Sequence, residues 1–310
     1  TWQQTMLRIK DPLKAVPFYE NLGFTLIDKF DFPQYKFSLY FLTTLPEGEP
    51  YNLQPGTQAA HDYLWTLEGV ALELTHNHGT ESDTSFSGYH AGNQEKDGFG
   101  HVAVNVDDVY AAADSLAEAG YRFKKKPDEG RMKGLAFVYD ADGYWVELVK
   151  RGENSGIAND CNFSQTMLRV KDPRKSLAFY KAMGMKLLSE KHFNDFSLYF
   201  LGSSNVADGA DTKTLFQPVL ELTHNHGTEN DDDFRYYNGN EDGRQGFGHI
   251  GFLVDDVYKA CDALRPLGFG FRKEPDGGSM KGLAFAYDPD GYSIEIIKRG
   301  GIDFGDALQE

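Results

Sequence analysis

Apolar and polar side chains alternate along several short stretches of the chain. In residues 4–10, Leu7 and Ile9 take one face while Gln4, Met6 and Arg8 take the other, because neighbouring side chains in a strand point to opposite sides. In residues 70–75, Leu72 and Leu74 oppose Glu73. In residues 100–106, Val102, Val104 and Val106 oppose His101. In residues 144–149, Val146 and Leu148 oppose Trp145 and Glu147. Between such segments lie helix signals. Asp11-Pro12 is an N-cap followed by proline at the first helical position, and Asp172-Pro173 repeats it. A further helix is expected from about Asp108 to Ala119, closed by Gly120, and its counterpart closes at Gly268.

The pattern occurs twice. Gln4-Thr-Met-Leu-Arg-Ile-Lys-Asp-Pro12 returns as Gln165 to Pro173, an offset of 161. Phe37-Ser-Leu-Tyr-Phe-Leu42 returns as Phe196 to Leu201, an offset of 159. Leu72 to Glu81 returns as Leu220 to Glu229, an offset of 148, which still holds at Gly98-Phe-Gly-His101 and Lys133 to Phe137. The second copy has therefore lost residues mainly between 43 and 70, a Pro-, Gly- and Thr-rich stretch that reads as a surface loop. These signals predict an α+β protein with tandem domains over 1–152 and 164–310, joined by a linker over 153–163. Each domain holds two βαβββ-like modules, so four modules form two cupped mixed sheets with helices on the outer faces.

Composition narrows the partners. A net charge of −16 and a pI near 5.0 oppose nucleic acid and anionic membranes. No apolar run approaches the roughly 18 residues of a membrane span, and the first residues carry no signal-peptide pattern. Cys161 and Cys261 show no redox or metal spacing, which suggests a reducing, cytoplasmic setting. At 310 residues with 40% hydrophobic content, the chain can build packed cores.

The chemistry lies on the polar faces. Gln4, Glu73, His101 and Glu147 return as Gln165, Glu221, His249 and Glu295. Any one of them alone reads as a solvated residue on a sheet. Duplication explains their equal spacing, but not their retention where neighbours diverge, as Trp145 does to Ser293. A metal or acid–base site follows from the set. His76 and His78, with His224 and His226, form a second cluster that reads as a loop-shaping feature. Basic residues collect near the same strands: Arg8, Lys10, Lys124, Lys125, Lys126, Arg131 and Lys133, then Arg169, Lys171, Arg272, Lys273 and Lys281. They suit a small ligand with carboxylates.

Gln-Thr-Met-Leu-Arg-x-Lys-Asp-Pro, Leu-Glu-Leu-Thr-His-Asn, Gly-Phe-Gly-His and Asp-Gly-Tyr-x-x-Glu stand in order in both copies. This set resembles glyoxalase I, the lactoylglutathione lyase of the vicinal oxygen chelate superfamily, in its tandem single-chain form. The resemblance implies isomerisation of the hemithioacetal of methylglyoxal and glutathione to S-lactoylglutathione, by proton transfer through an enediolate. It implies two metal sites, each shared between the copies: site A from Gln4, Glu73, His249 and Glu295, and site B from Gln165, Glu221, His101 and Glu147. Glu147 and Glu295 are then the principal bases, and Glu73 and Glu221 are ligands that share in proton transfer. Zinc is the expected metal, with nickel, cobalt and manganese also compatible with the donors.

By the same resemblance Arg8, Asn77, Arg169 and Asn225 hold the γ-glutamyl end of glutathione. Lys125, Arg131 and Met132, with Lys273 and Met280, belong to the loop closing over the substrate, and Trp145 walls the pocket. Two departures stand out. The family's arginine four residues before the histidine is Asp97 or Gln245 here, with Lys96 and Arg244 one place earlier. Ser293 replaces Trp145 in the second copy, so site A is expected to be the looser. A fused pseudo-dimer is expected to act as a monomer. The alternatives are one catalytic site beside a binding or regulatory one, or a non-catalytic small-molecule binder. An iron dioxygenase of the superfamily needs two histidines per site, and each set offers one.

Overall fold

The computed structural model describes residues 1–48, 51–278, 280–302 and 304. Four modules follow one another. The first runs β1 (Trp2–Ile9), α1 (Pro12–Glu20), β2 (Thr25–Phe32), β3 (Phe37–Thr43), α2 (Gln58–Leu64) and β4 (Ala71–Asn77). The second runs β5 (Phe99–Val106), α3 (Val109–Glu118), β6 (Phe123–Lys125), β7 (Leu135–Tyr139) and β8 (Trp145–Lys150). The third runs β9 (Cys161–Arg169), α4 (Pro173–Ala182), β10 (Met185–His192), β11 (Phe196–Ser203) and β12 (Val219–Asn225). The fourth runs β13 (Phe247–Val254), α5 (Val257–Leu264), β14 (Phe271–Lys273), β15 (Leu283–Tyr287) and β16 (Ser293–Lys298).

Helix starts follow the sequence signals. The carboxylates of Asp11, Asp108, Asp172 and Asp256 each accept a hydrogen bond from a first-turn backbone N–H. Each cap of this kind contributes about 1 kcal/mol. Gly120 and Gly268 take φ of 89° and 83°, the left-handed backbone that lets the chain turn out of α3 and out of the helical turn after α5.

Two mixed eight-stranded sheets result, and neither belongs to one copy. One has the order β14-β15-β16-β13-β1-β4-β3-β2, combining the first and fourth modules. The other, β10-β11-β12-β9-β5-β8-β7-β6, combines the second and third. The seams are antiparallel, β1 with β13 and β5 with β9. Parallel pairs flank them: β1 with β4, β13 with β16, β5 with β8 and β9 with β12. Leu7, Ile9, Leu72, Leu74, Ile250, Phe252, Ile294 and Ile296 are buried on one face together with Ala15, Phe18 and Tyr19 of α1. Burying each large side chain contributes about 1.5–3 kcal/mol. The opposite face carries the polar residues.

Two local expectations change. Residues 43–70 are not merely surface loop, since they contain α2, with Ala60 and Leu64 fully buried. Strand β9 begins at Cys161, inside the stretch expected as linker.

Candidate active sites

Register brings the polar residues together across four adjacent strands. Met6 of β1 pairs with Glu73 of β4 and with His249 of β13. Gln4 pairs with Gly251, which pairs with Glu295 of β16. A side chain at 251 would overlap Gln4, since an added Cβ would lie 2.6 Å from its Cγ. Glycine here lets the glutamine lie across the seam. The second sheet repeats the arrangement with Gln165, Glu221, His101 and Glu147.

At site A, Gln4 Nε2 lies 2.6 Å from Glu73 Oε2, 2.7 Å from Glu295 Oε2 and 3.2 Å from His249 Nε2. His249 Nε2 stands 3.2 Å from Glu73 and 3.1 Å from Glu295. At site B, Gln165 Nε2 lies 2.6 Å from Glu221 and 3.1 Å from Glu147, and His101 Nε2 lies 3.3 Å from Glu147 and 3.8 Å from Glu221. The Glu, His and Glu donors of each set lie within 4.8 Å of one another, and all six residues are buried. The structure thus groups Gln4 and Glu73 with His249 and Glu295, and Gln165 and Glu221 with His101 and Glu147.

Each cluster carries two buried carboxylates against one imidazole. Burial works against a charged His249, but Glu295 and Glu73 outweigh it and push its pKa up to about 9. At His101, Glu147 and Glu221 likewise overcome burial and raise it. Burial pushes the Glu221 carboxyl up, even with His101 beside it. A divalent cation would relieve this excess of negative charge. Among the described residues, Gln4 Oε1 is buried without a hydrogen-bond partner. It would supply the fourth donor once the amide turns it inward. Three oxygens and one nitrogen per site therefore fit a divalent metal, with room for solvent oxygens.

The two carboxylates of a site differ. Thr75 Oγ1 donates to Glu73 Oε1 at 3.1 Å, and Thr223 Oγ1 to Glu221 Oε1 at 3.2 Å. Among the described residues, Glu295 and Glu147 are held only through Oε2. The rings of Phe285 and Phe137 meet His249 and His101 edge-on at 5.4 Å, fixing the imidazoles.

Site A opens into a cavity of about 480 Å³ that Arg8, Asn77, Lys273 and Met280 also line. Arg8 is mostly buried, yet among the described residues its donors meet only neutral acceptors: the carbonyls of Gly239, Gly246 and Phe247, and Asn240 Oδ1 at 2.8 Å. Arg169 does the same with the carbonyls of Asp97 and Phe99 and with Asn93. Asn77 donates to Tyr89 and Asn225 to Tyr236. Lys125 and Lys273 each donate to a β-strand carbonyl, of Leu135 and Leu283, at 2.6 Å. Arg131 and Met132 are exposed in the β6–β7 loop, Met132 by 51%, and are not gathered into a site.

Several expectations are refined. Arg244 cannot stand in for the missing arginine, because it bonds the buried Asp97 at 3.0 Å and stacks 4.0 Å over Tyr237. Lys96 lies over Phe234 instead. Trp145 packs on Phe137 beneath Lys124. Where Ser293 replaces it, the Arg272 guanidinium stacks 4.1 Å over Phe285, so a cation rather than a gap borders site A. His76 and His224 bond Glu81 and Glu229, and His78 and His226 bond Ser38 and Ser197, which fixes the loops after β4 and β12. Asn93 and Asn240 were missed, although Gly92-Asn93 recurs as Gly239-Asn240. Trp65 and Phe304, also in the cavity wall, carry no repeat signal as site residues, whereas Arg272 there matches the basic Lys124 of the first copy.

Comparisons with known proteins agree with this geometry. The family model for the glyoxalase/bleomycin resistance protein/dioxygenase superfamily matches residues 2–148 and again 162–296. The chain is 41% identical to glyoxalase I of Saccharomyces cerevisiae over 96% of its own length and 91% of the relative's. It is 40% identical to lactoylglutathione lyase of Schizosaccharomyces pombe, covering 95% of each. The crystal structure of glyoxalase I from Zea mays superposes with a TM-score of 0.69 at 28% identity, over 96% of this chain and 92% of that one. Two matched domains and relatives of this similarity along nearly the whole length establish that the chain belongs to the glyoxalase/bleomycin resistance protein/dioxygenase superfamily.

Proposed function

We propose that the protein isomerises the hemithioacetal of methylglyoxal and glutathione to S-lactoylglutathione, at two metal-dependent sites built across the two copies. The observation that carries this reading is the buried Gln, Glu, His and Glu donor set, formed twice, with an orphaned Gln4 oxygen in one of them. Full-length similarity to glyoxalase I and lactoylglutathione lyase supports the reaction.

The residues divide the work. A divalent metal held by Gln4, Glu73, His249 and Glu295, or by the matching set at site B, would supply Lewis acidity toward the substrate oxygens. Zinc is our assignment; nickel, cobalt and manganese suit the same donors. Glu295 and Glu147 take the proton from C1 and return it to C2, since their second oxygens are not tied to a threonine. Glu73 and Glu221, each held by its threonine, serve mainly to orient. Arg8 and Arg169 offer guanidinium groups without a carboxylate partner among the described residues, which suits the glutathione carboxylates. Lys273 and Met280, with Lys125, Arg131 and Met132, would close over the bound substrate, and Trp145 would wall site B.

We assign a monomer, because one chain already contributes both halves of each site. Free Cys161 and Cys261 suit a reducing cytoplasm. Among the described residues no helix is long and apolar enough to cross a membrane.

Thioester formation from methylglyoxal and glutathione by the zinc-loaded protein tests the reading. Glu147→Gln combined with Glu295→Gln is expected to lower kcat by about 10²–10⁴. An inactive wild-type protein, or a double variant of full activity, overturns it. A second reading, with one working site, draws on the wider His101–Glu221 separation of 3.8 Å against 3.2 Å at site A. The two single variants separate these readings.

A further inference from the structure

Beyond the polar cluster, the site A cavity continues into an aromatic chamber. Phe32, Phe37, Phe41, Trp65 and Phe304 line it. Phe30, fully buried behind them, lies 5.9 Å from Trp65, 5.8 Å from Phe41 and 5.4 Å from Phe304 by ring centroid. Phe32, Phe37 and Phe41 have counterparts in Phe193, Phe196 and Phe200, whereas Trp65 and Phe304 come from segments that the two copies do not share. Trp65 directly follows α2, within the stretch that the second copy shortens. Phe304 follows β16 in the C-terminal segment, whereas the equivalent chain after β8 becomes the linker.

Backbone pairings identify what stands at the matching places in site B. The Gly300 N–H donates to the Trp65 carbonyl, and the Gly152 N–H donates to the Lys213 carbonyl. Gly152 and Gly300 stand at the same offset of 148, so Lys213 takes the place of Trp65. Phe30 pairs with Leu39 across β2 and β3, while Lys191 pairs with Leu198 across β10 and β11. Lys191 is exposed, and its ammonium lies 5.5 Å over the ring of Phe200, the counterpart of Phe41. Two aromatic positions of site A are thus cationic in site B, and the offset counterpart of Phe304 is Gly156.

We propose that the two sites divide substrates by the carbonyl half of the hemithioacetal: site A accepts large aromatic substituents, and site B is restricted to small ones. The reasoning is burial. An aromatic ring entering the chamber leaves water for edge and face contacts with five rings. At site B it would stand among hydrated ammonium groups, where burial costs desolvation. The proposal rests on the lyase reading above and adds a specificity that the reading does not require.

Single-site enzymes test it. Glu147→Gln leaves site A as the working site, and Glu295→Gln leaves site B. Each is assayed, metal-loaded, with hemithioacetals of glutathione and either phenylglyoxal or methylglyoxal. The phenylglyoxal-to-methylglyoxal ratio of kcat/KM is expected to be at least about tenfold higher in Glu147→Gln. Trp65→Ala in that background lowers the ratio. Lys191→Phe, an exposed position, raises it in the Glu295→Gln background without risk to the core. Equal ratios in the two single-site enzymes overturn the division. Calorimetry on the wild-type, metal-loaded chain gives a second readout independent of turnover. S-benzylglutathione is expected to fill one tight equivalent and a second at least about tenfold weaker, whereas S-methylglutathione fills two similar ones. Two equal S-benzylglutathione sites sink the proposal. Failure of the wild type to form thioester from methylglyoxal would instead count against the lyase reading, and the calorimetry still decides whether the two chambers differ.

Discussion

The hydroxyl of Tyr292 donates a hydrogen bond to the backbone carbonyl of Arg169, 2.7 Å away. Tyr292 precedes β16, the strand that carries Glu295 of site A, while Arg169 ends β9 of site B. Tyr144 makes the mirror contact to the Arg8 carbonyl at 2.9 Å, three residues before Glu147. Each strand that carries a cluster glutamate is therefore tied through its tyrosine to the arginine of the other cluster. Losing one such bond costs about 1 kcal/mol. Tyr292→Phe in the Glu295→Gln background is expected to raise KM at site B by about fivefold, with kcat little changed. Steady-state kinetics with the methylglyoxal hemithioacetal measures it. A fall in kcat at constant KM would show that the bond serves the chemistry rather than the arginine.

Cross-assembly predicts which double variants are lethal. His249→Ala with Glu295→Gln damages one cluster, so about half of the activity should remain. His101→Ala with Glu295→Gln damages both, and activity should fall by about 10² or more. The reverse ranking would mean that each copy closes its own site.

Metal content gives an independent check. The wild-type chain is expected to bind two equivalents of divalent metal, and His249→Ala only one. Chelation should lower the thermal midpoint by about 5 °C or more, because ligand binding to the folded state adds stability. One equivalent in the wild type would leave a single complete site.

Asp140 supplies a pH prediction away from the metal clusters. Burial, and then neighbouring Asp142, push its carboxyl up to about 7. An unfolded aspartate titrates near 3.9. The folded state therefore holds an extra proton between these values. Its contribution is complete below about pH 4 and is lost as pH rises toward about 7. Asp140 accepts from the Asp142 and Tyr144 N–H groups on one oxygen and from the Tyr19 hydroxyl on the other. Asparagine can keep the first two bonds while mimicking the protonated acid. Asp140→Asn should thus gain on the wild type as pH rises from 4 to 8, by a few kcal/mol at most. Urea unfolding of both proteins across that range measures it. A constant difference would mean that the carboxylate is already ionised at low pH. Asp288, pushed up to about 8 by burial and Asp290, should behave alike.

The strand faces were legible because alternation is local. Leu7 and Ile9 against Gln4 and Arg8 needs only six residues of chain, and repetition of the polar set marked it as more than solvated surface. The grouping of Gln4 with His249 was not local. It depends on the antiparallel seam of β1 with β13, which only family resemblance suggested. Residues 43–70 misled because Gly, Pro and Thr signal turns equally well around a short helix, and α2 is defined by the packing of Ala60 and Leu64. Arg244 could not be placed by spacing, because what fixes it is a buried Asp97 contributed by the other copy. Trp65 and Phe304 were illegible as site residues for a related reason: neither has a repeated partner, and they meet only after the chain has returned to where it began.

That return sets an order of assembly. The sheet of site B lies within residues 99–225 and can form while the chain is still being made. The sheet of site A needs β1 and β13, and the Thr1 amine reaches the Leu253 carbonyl. Closing so long a loop adds entropy cost and slows the search. Strand β1 therefore waits, one edge unpaired, until β13 at Phe247–Val254 has been made. The first of the described strands to be made belongs to the sheet that is completed last.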